Sequence, residues 1–155
     1  MRTGIGFDVH AFEEGRRLML GGVEIDHGKG LAGHSDADVL LHAVMDAILG
    51  ACGLGDIGVH FPDSDVKYKD ISSLKLLAGV NKKMEERGFS IENIDAVLIM
   101  QEPKVSRYFE GMRENIARTL RVDRGRINIK ATTTEHLGFC GRGEGIAAQA
   151  IVLLK

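Results

Sequence analysis

The chain's 20 glycines, set against only 2 prolines, cluster at residues 4–6, 21–33, 50–58 and 138–145 and cut the sequence into short segments. Glycine tolerates tight turns and close backbone approach, so these clusters mark turns and loops, and regular structure has to form between them. Residues 2–10 alternate as a strand, and the Leu18–Leu20 and Val23–Ile25 segments flanking Gly21 and Gly22 read as a hairpin. Residues 37–51 carry Val39, Leu40, Ala43, Val44, Ala47 and Ile48 at helical spacing, with Ser35 or Asp36 placed to cap the start and Gly53 just past the end. Two more helices are predicted over residues 72–87 and 106–120, carrying Leu74, Leu77, Val80 and Met84, then Phe109, Met112, Ile116 and Leu120. Residues 94–100, 127–132 and 146–154 are rich in Val, Ile and Ala, as strands covered by helices on one face are.

This order predicts an α/β fold: a two-layer sandwich in which a mixed β-sheet is covered on one face by about three helices. A chain of 155 residues suits one domain spanning 1–155, and the sequence has no repeat, low-complexity tract or linker to divide it. The formal charge of −2 gives no electrostatic ground for a nucleic-acid or anionic-membrane partner, so any bound phosphate needs a local site. The first residues lack a signal-peptide pattern and no apolar run approaches the ~18–20 residues of a membrane span, which predicts a cytoplasmic protein without a membrane partner. Cys52 and Cys140 form no CxxC pair and are expected as reduced thiols.

Asp8 and His10 lie two apart on the first strand, so both side chains leave the same face. With His42 on the following helix they make one carboxylate and two imidazoles, a set that leaves one tetrahedral position open as catalytic zinc requires. The same residues equally read as a surface dipeptide and a hydrogen-bonded helix histidine. Asp46, one turn after His42, reads as a partner fixing the imidazole tautomer or as a solvated carboxylate. The segment 32–36 sets His34 and Ser35 at a helix start, which suits a phosphate or an ordinary cap. Residues 54–65 fit a polyol-binding loop and a plain surface loop alike. Three hydroxyls and a carboxylate end a strand at Thr132, Thr133, Thr134 and Glu135, a set able to hold phosphate oxygens and an oxygen-loving cation, although threonine runs also simply favour strands. The glycine-rich segment 138–145 fits neither dinucleotide-binding pattern nor P-loop.

Taken together, FDVH at residues 7–10, HSDADVLLH at 34–42, LGDIGVHFPDSD at 54–65, KATTTE at 130–135 and GFCGRGEG at 138–145 resemble the signature segments of the 2-C-methyl-D-erythritol 2,4-cyclodiphosphate synthase family, in that family's order and across the whole chain. The resemblance implies a metal-assisted intramolecular phosphoryl transfer that releases CMP, in a homotrimer whose sheets surround a central axis and whose active sites lie between subunits. It implies zinc, or another divalent transition metal, at Asp8, His10 and His42, and magnesium or manganese at Glu135. His34 and Thr133 are the implied catalytic hydrogen-bond donors. Asp8, Val9 and His10, with His34 and Ser35, are implied around the methylerythritol phosphate, and Asp56, Ile57, Gly58, Phe61, Pro62, Asp63, Ser64 and Asp65 around the polyol and ribose. Met100, Gln101, Glu102, Pro103, Lys104, Val105 and Ser106, with Ala131, Thr132, Thr133 and Thr134, are implied at the cytidine and its phosphates. Phe139 and Arg142, with Glu144, match residues at the mouth of an axial cavity for a prenyl diphosphate. Ala37, Val59, Glu102 and Cys140 depart from the family pattern, and none is an implied metal ligand. The competing readings are a zinc phosphodiesterase, told apart by a ring-free product, and a trimeric prenyl-diphosphate-binding protein.

Overall fold

Two glycines of the first strand explain the layering of the fold. The computed structural model describes residues 1–62 and 64–155; Asp63, expected in the polyol loop, lies outside the described residues. The first strand, β1 (Arg2–Glu14), is followed by the hairpin β2 (Leu18–Leu20) and β3 (Val23–Ile25), a short β4 (Lys29–Leu31) and the helix α1 (Val39–Cys52). A side-chain carbon added at Gly4 or Gly6 of β1 would sit 2.0 Å from the carbonyl oxygen of Ala47 or Ala43 of α1. The helix backbone therefore rides directly on the strand, with glycine the one residue that permits it. Nearly every α1 side chain is buried, so the helix is core on all sides rather than amphipathic.

The chain then forms the single turn α2 (Ile57–His60), α3 (Ser73–Glu86), β5 (Ile91–Ile99), α4 (Phe109–Leu120), β6 (Ile127–Thr132), the single turn α5 (Gly138–Gly141) and β7 (Gly145–Leu154). The main sheet has the order β4-β1-β7-β5-β6, with β5 and β6 parallel and the other neighbours antiparallel. The long helices α1, α3 and α4 supply the predicted single covering layer. The first strand runs past His10 to Glu14 because its last residues pair with β4, which is too short to show a period in sequence.

On β1, Gly4, Gly6, Asp8 and His10 face α1, while Ile5, Phe7 and Val9 face away. Register pairs Ile5 with Ile151, and the two are 62% and 51% exposed, with Phe7 at 56%. Among the described residues none of the long helices covers this second face, and only the single turn α5 lies at its edge. Among the described residues no helix is long and apolar enough to cross a membrane. Cys52 and Cys140 are both buried free thiols.

The helix cap differs from the sequence reading. Asp38, not Ser35 or Asp36, caps α1, accepting from the Leu41 N–H at 3.1 Å and also from the Gly21 and Gly22 N–H groups at 2.9 and 2.7 Å. One buried carboxylate thus pins the β2–β3 turn to the start of the helix. Burial pushes the Asp38 carboxyl up to about 6, against the lowering effect of the three N–H donors and with the nearby Asp36 charge adding to the rise.

Candidate metal centre

Strand alternation and the glycine-tight α1 contact bring Asp8, His10 and His42 to one point. Asp8 Oδ2 lies 3.0 Å from His10 Nε2 and 3.0 Å from His42 Nδ1, and the two ring nitrogens are 3.0 Å apart. Three donors about 2.0–2.1 Å from a tetrahedral ion stand about 3.3 Å from each other, so this triangle is close to the size a cation needs. The cluster is half-buried, and His42 is only 7% exposed.

The outward hydrogen bonds of both rings fix where their lone pairs point. His10 Nδ1 lies 2.6 Å from the Ala32 carbonyl oxygen, which can only accept, so the proton sits on Nδ1 and the Nε2 lone pair faces the cluster. His42 Nε2 lies 3.1 Å from Ser73 Oγ and 3.2 Å from Ser35 Oγ. The Ser73 hydroxyl donates to Asp36 Oδ1, and Ser35 Oγ accepts the Ala37 N–H at 3.2 Å. Ser73 therefore offers His42 a lone pair, which places the proton on Nε2 and turns the Nδ1 lone pair toward Asp8. Two neutral imidazoles and a carboxylate so aimed present electron pairs to one another with no proton between them, an arrangement a cation satisfies. Without the cation a proton takes its place. Burial raises the Asp8 carboxyl, but hydrogen bonds and charge from His10 and His42 outweigh it and hold it well below the usual carboxylate range. Burial lowers His10, and the Asp8 carboxylate more than offsets this, so His10 stands above its ordinary 6.5.

Of the two readings open for Asp46, partner of His42 or solvated carboxylate, the structure does not bear out the first, since Asp46 makes no hydrogen bond to His42. Its Oδ1 accepts the Ile57 N–H at 2.8 Å, and burial raises its pKa, so it anchors the loop after α1. The hydrogen-bonding neighbours of the His42 ring's outer nitrogen are Ser73 and Ser35 instead.

The triangle opens into a cavity of about 210 Å³ that also takes in Gly33, His34, Ser35, Ile57, Gly58 and Phe61. Tyr68 and Leu76 complete its wall, and neither stands in a motif that marks it. Asp56 caps α2 by accepting the Val59 N–H, and Asp65 accepts the Lys67 N–H while its carbonyl takes His34 Nε2–H at 3.3 Å. Pro62 and Ser64 are exposed beside that loop. The Val9 side chain lies on the opposite sheet face from its neighbours Asp8 and His10.

A second cavity, of about 230 Å³, brings together Met100, Gln101, Pro103, Lys104, Val105, Ser106, Ala131, Thr132 and Thr133 and adds Phe109. Glu102 departs from that set: it lines a neighbouring cavity with His27, Lys29 and Arg142. Gln101 Oε1 accepts the Thr134 N–H at 3.1 Å, and the Thr133 hydroxyl donates to Glu135 Oε1 at 2.9 Å. Register sets Val9, Ala147, Ile99 and Thr132 at one level, so both cavities open at the same end of the sheet. They are two to three strand spacings apart, roughly 10–14 Å.

The YgbB family model matches residues 1–155. The 2-C-methyl-D-erythritol 2,4-cyclodiphosphate synthase of Desulforamulus reducens is 59% identical over 155 residues, covering 100% of this chain and 99% of its own. That of Halothermothrix orenii is 64% identical over 154 residues, covering 99% and 93%. Among solved structures, the bifunctional IspDF of Campylobacter jejuni superposes with a TM-score of 0.96 at 52% identity over 99% of this chain, which spans only 42% of that longer protein. The IspF CDP complex of Plasmodium falciparum superposes with a TM-score of 0.86 at 34% identity, covering 99% and 94%.

Proposed function

The chain belongs to the YgbB family, and from that premise we propose that it converts 4-diphosphocytidyl-2-C-methyl-D-erythritol 2-phosphate to 2-C-methyl-D-erythritol 2,4-cyclodiphosphate and CMP, a cytoplasmic step of non-mevalonate isoprenoid synthesis. The observation that carries the reading is the convergence of Asp8 Oδ2, His10 Nε2 and His42 Nδ1, 3.0 Å apart, in the wall of a cavity that His34 and Ser35 also line.

Nucleophile and electrophile belong to one substrate molecule. An oxygen of the 2-phosphate attacks the β-phosphorus, and the bond from that phosphorus to the oxygen bridging it to the α-phosphate breaks, so CMP leaves with the electron pair. A phosphate monoester with a second pKa near ~6 is mostly dianionic at neutral pH, so no side chain is needed as general base. The protein's task is to bring two anions together and hold them in line. Asp8, His10 and His42 would hold zinc or a similar divalent ion and Glu135 magnesium or manganese, and such positive charge would offset the negative charge of the substrate's phosphate oxygens. His34 and Ser35 position the methylerythritol phosphate, and Ile57, Gly58 and Phe61 enclose the polyol. Lys104, Thr132 and Thr133 receive the cytidine phosphates beside the pocket of Met100, Val105 and Ala131. His34 and Thr133, whose protons go to the Asp65 carbonyl and to Glu135 in the ligand-free chain, would turn these donors to the substrate's phosphate oxygens, where such hydrogen bonds strengthen as charge develops and are each worth about 3–4 kcal/mol in the transition state.

The assembly that suits this chemistry is a homotrimer. The sheet face bearing Ile5, Phe7 and Ile151 is apolar and uncovered, as a buried interface requires. The metal triangle and the cytidine cavity stand apart within one chain, so a site between neighbours brings one subunit's triangle to the next subunit's cavity. On the same face, Phe7, Ile99, Leu137 and Phe139 line an apolar cavity of about 250 Å³, and Arg142, paired with Glu144 at 2.7 Å, follows α5; a prenyl diphosphate suits that combination.

Incubation with the cytidine-bearing substrate, zinc and magnesium, followed by phosphorus NMR, tests the activity. Cyclic diphosphate with equimolar CMP is the expected outcome; a ring-free phosphate product contradicts it.

A further inference from the structure

Behind the metal triangle, Asp36 and Ser73 form a connected chain of hydrogen bonds that ends on His42, and no role in the reaction described above uses either residue. Ser73 opens α3, is fully buried, and lies 31 residues from His42 in sequence. Ser72, at the cap position of that helix, makes no side-chain capping bond. The capping work is done from outside the helix: Asp36 Oδ2 accepts the Ser73 N–H at 3.0 Å while Asp36 Oδ1 accepts the Ser73 hydroxyl. The two segments are further held by the Asp36 N–H donating to the Ile71 carbonyl at 3.1 Å and the Asp70 N–H donating to the His34 carbonyl at 2.8 Å.

We propose that Asp36 and Ser73 are positioning residues that set the polarity of His42, so that its Nδ1 lone pair is presented to a divalent cation at Asp8 and His10. The reasoning is one of hydrogen-bond direction. A carboxylate only accepts, so both Asp36 oxygens fix Ser73 as donor from its N–H and from its hydroxyl. With its single proton committed, Ser73 Oγ can offer His42 Nε2 nothing but a lone pair, and Nε2 must carry the ring proton. Ser35 Oγ also lies within reach of Nε2, but it is 3.2 Å away and has no carboxylate to orient its proton. Ser73 is therefore the directing contact and Asp36 the group that gives it direction. The same chain ties the turn before α3, which contributes Tyr68 to the cavity wall, to the ring that faces the cation.

The inference rests on the metal reading given above and makes a separable prediction. Asp36→Asn keeps size and shape but replaces one acceptor by a donor. With its oxygen on the Ser73 N–H, its NH₂ donates to Ser73 Oγ, the hydroxyl proton turns to His42 Nε2, and the ring proton is driven onto Nδ1, into the space the cation needs. Zinc affinity, measured by chelator competition, falls about 10- to 100-fold in Asp36→Asn and about 10-fold in Ser73→Ala, and is unchanged in Ser72→Ala. Proton–nitrogen NMR of the zinc-free proteins at alkaline pH, with labelled histidine, shows the His42 ring proton on Nε2 in the wild type and moved to Nδ1 in Asp36→Asn, a change that a purely structural role would not produce. A zinc-binding wild type whose zinc-free form carries the His42 ring proton on Nδ1, or Asp36→Asn and Ser73→Ala binding within twofold of it, overturns this inference alone. A wild type that takes up no zinc overturns both this inference and the metal reading beneath it.

Discussion

The two halves of the site are built in opposite ways. The metal half is held inside the fold: Asp8 and His10 stand on a strand whose glycines touch α1 backbone to backbone, and His42 is pinned from behind by Ser73 and Ser35. The half proposed to receive cytidine is a rim. Thr132, Thr133 and Glu135 are exposed at and beyond a strand end, and Gln101, accepting from the Thr134 N–H, is one of the few groups that fix their loop. A cation demands donor positions good to a fraction of an ångström, which only over-determined packing supplies. A nucleotide held by many weaker contacts tolerates a looser wall, and a wall left open can be completed by a neighbouring subunit.

This contrast is broken most severely by removing His42. In His42→Ala the metal half loses one of three ligands, and the account predicts loss of bound zinc with turnover down about 10³-fold or more, read by metal analysis and product assay. On the rim, Glu135→Gln keeps the zinc and instead raises the magnesium needed for half-maximal rate by roughly tenfold, read by titration. Loss of zinc in Glu135→Gln would merge the two halves.

The packing of the metal half is sharpened by a pair of glycines. At Gly6 a methyl group meets the Ala43 carbonyl oxygen at 2.0 Å, whereas at Gly28 it meets nothing within 4 Å. Gly6→Ala is expected to cost about 1–3 kcal/mol in urea unfolding and to weaken zinc binding by prising α1 from β1, while Gly28→Ala stays within about 0.5 kcal/mol of the parent.

The smallest effect is one of pH. His10 is held above 6.5 by Asp8 in the metal-free protein, and zinc binds only the neutral ring. Affinity therefore falls up to about tenfold per pH unit as pH drops through the raised His10 value, and the decline begins at a higher pH than for a free histidine. The sign reverses for stability without metal: the His10–Asp8 pair contributes fully below 6.5 and is lost as pH rises through the raised value. Zinc titrations and urea midpoints across that range check both directions.

The same contrast governs what could be read from the sequence. Asp8 and His10 were legible because a strand has period two, and His42 because the apolar spacing around it announces a helix. Ser73, Tyr68 and Leu76 were not, since they reach the site from α3 and the turn before it and carry no motif. Helical spacing suggested Asp46 as the partner of His42, but spacing cannot tell which neighbour claims a carboxylate, and the Ile57 N–H claims this one. Asp38 displaced the expected caps for the same reason: Asp36 is already spent on Ser73, and Asp38 alone reaches the N–H groups of both α1 and the Gly21–Gly22 turn. On the rim, the segments 100–106 and 131–133 were legible through the family resemblance, and the structure gathers all of them except Glu102 into one cavity.

Crystals of the zinc-loaded chain, measured on both sides of the zinc absorption edge, give the most direct test. An anomalous peak bounded by Asp8 Oδ2, His10 Nε2 and His42 Nδ1 is expected, with His42 Nε2 still on Ser73 Oγ. Absence of that peak, with the two rings and the carboxylate turned away from a common point, contradicts it.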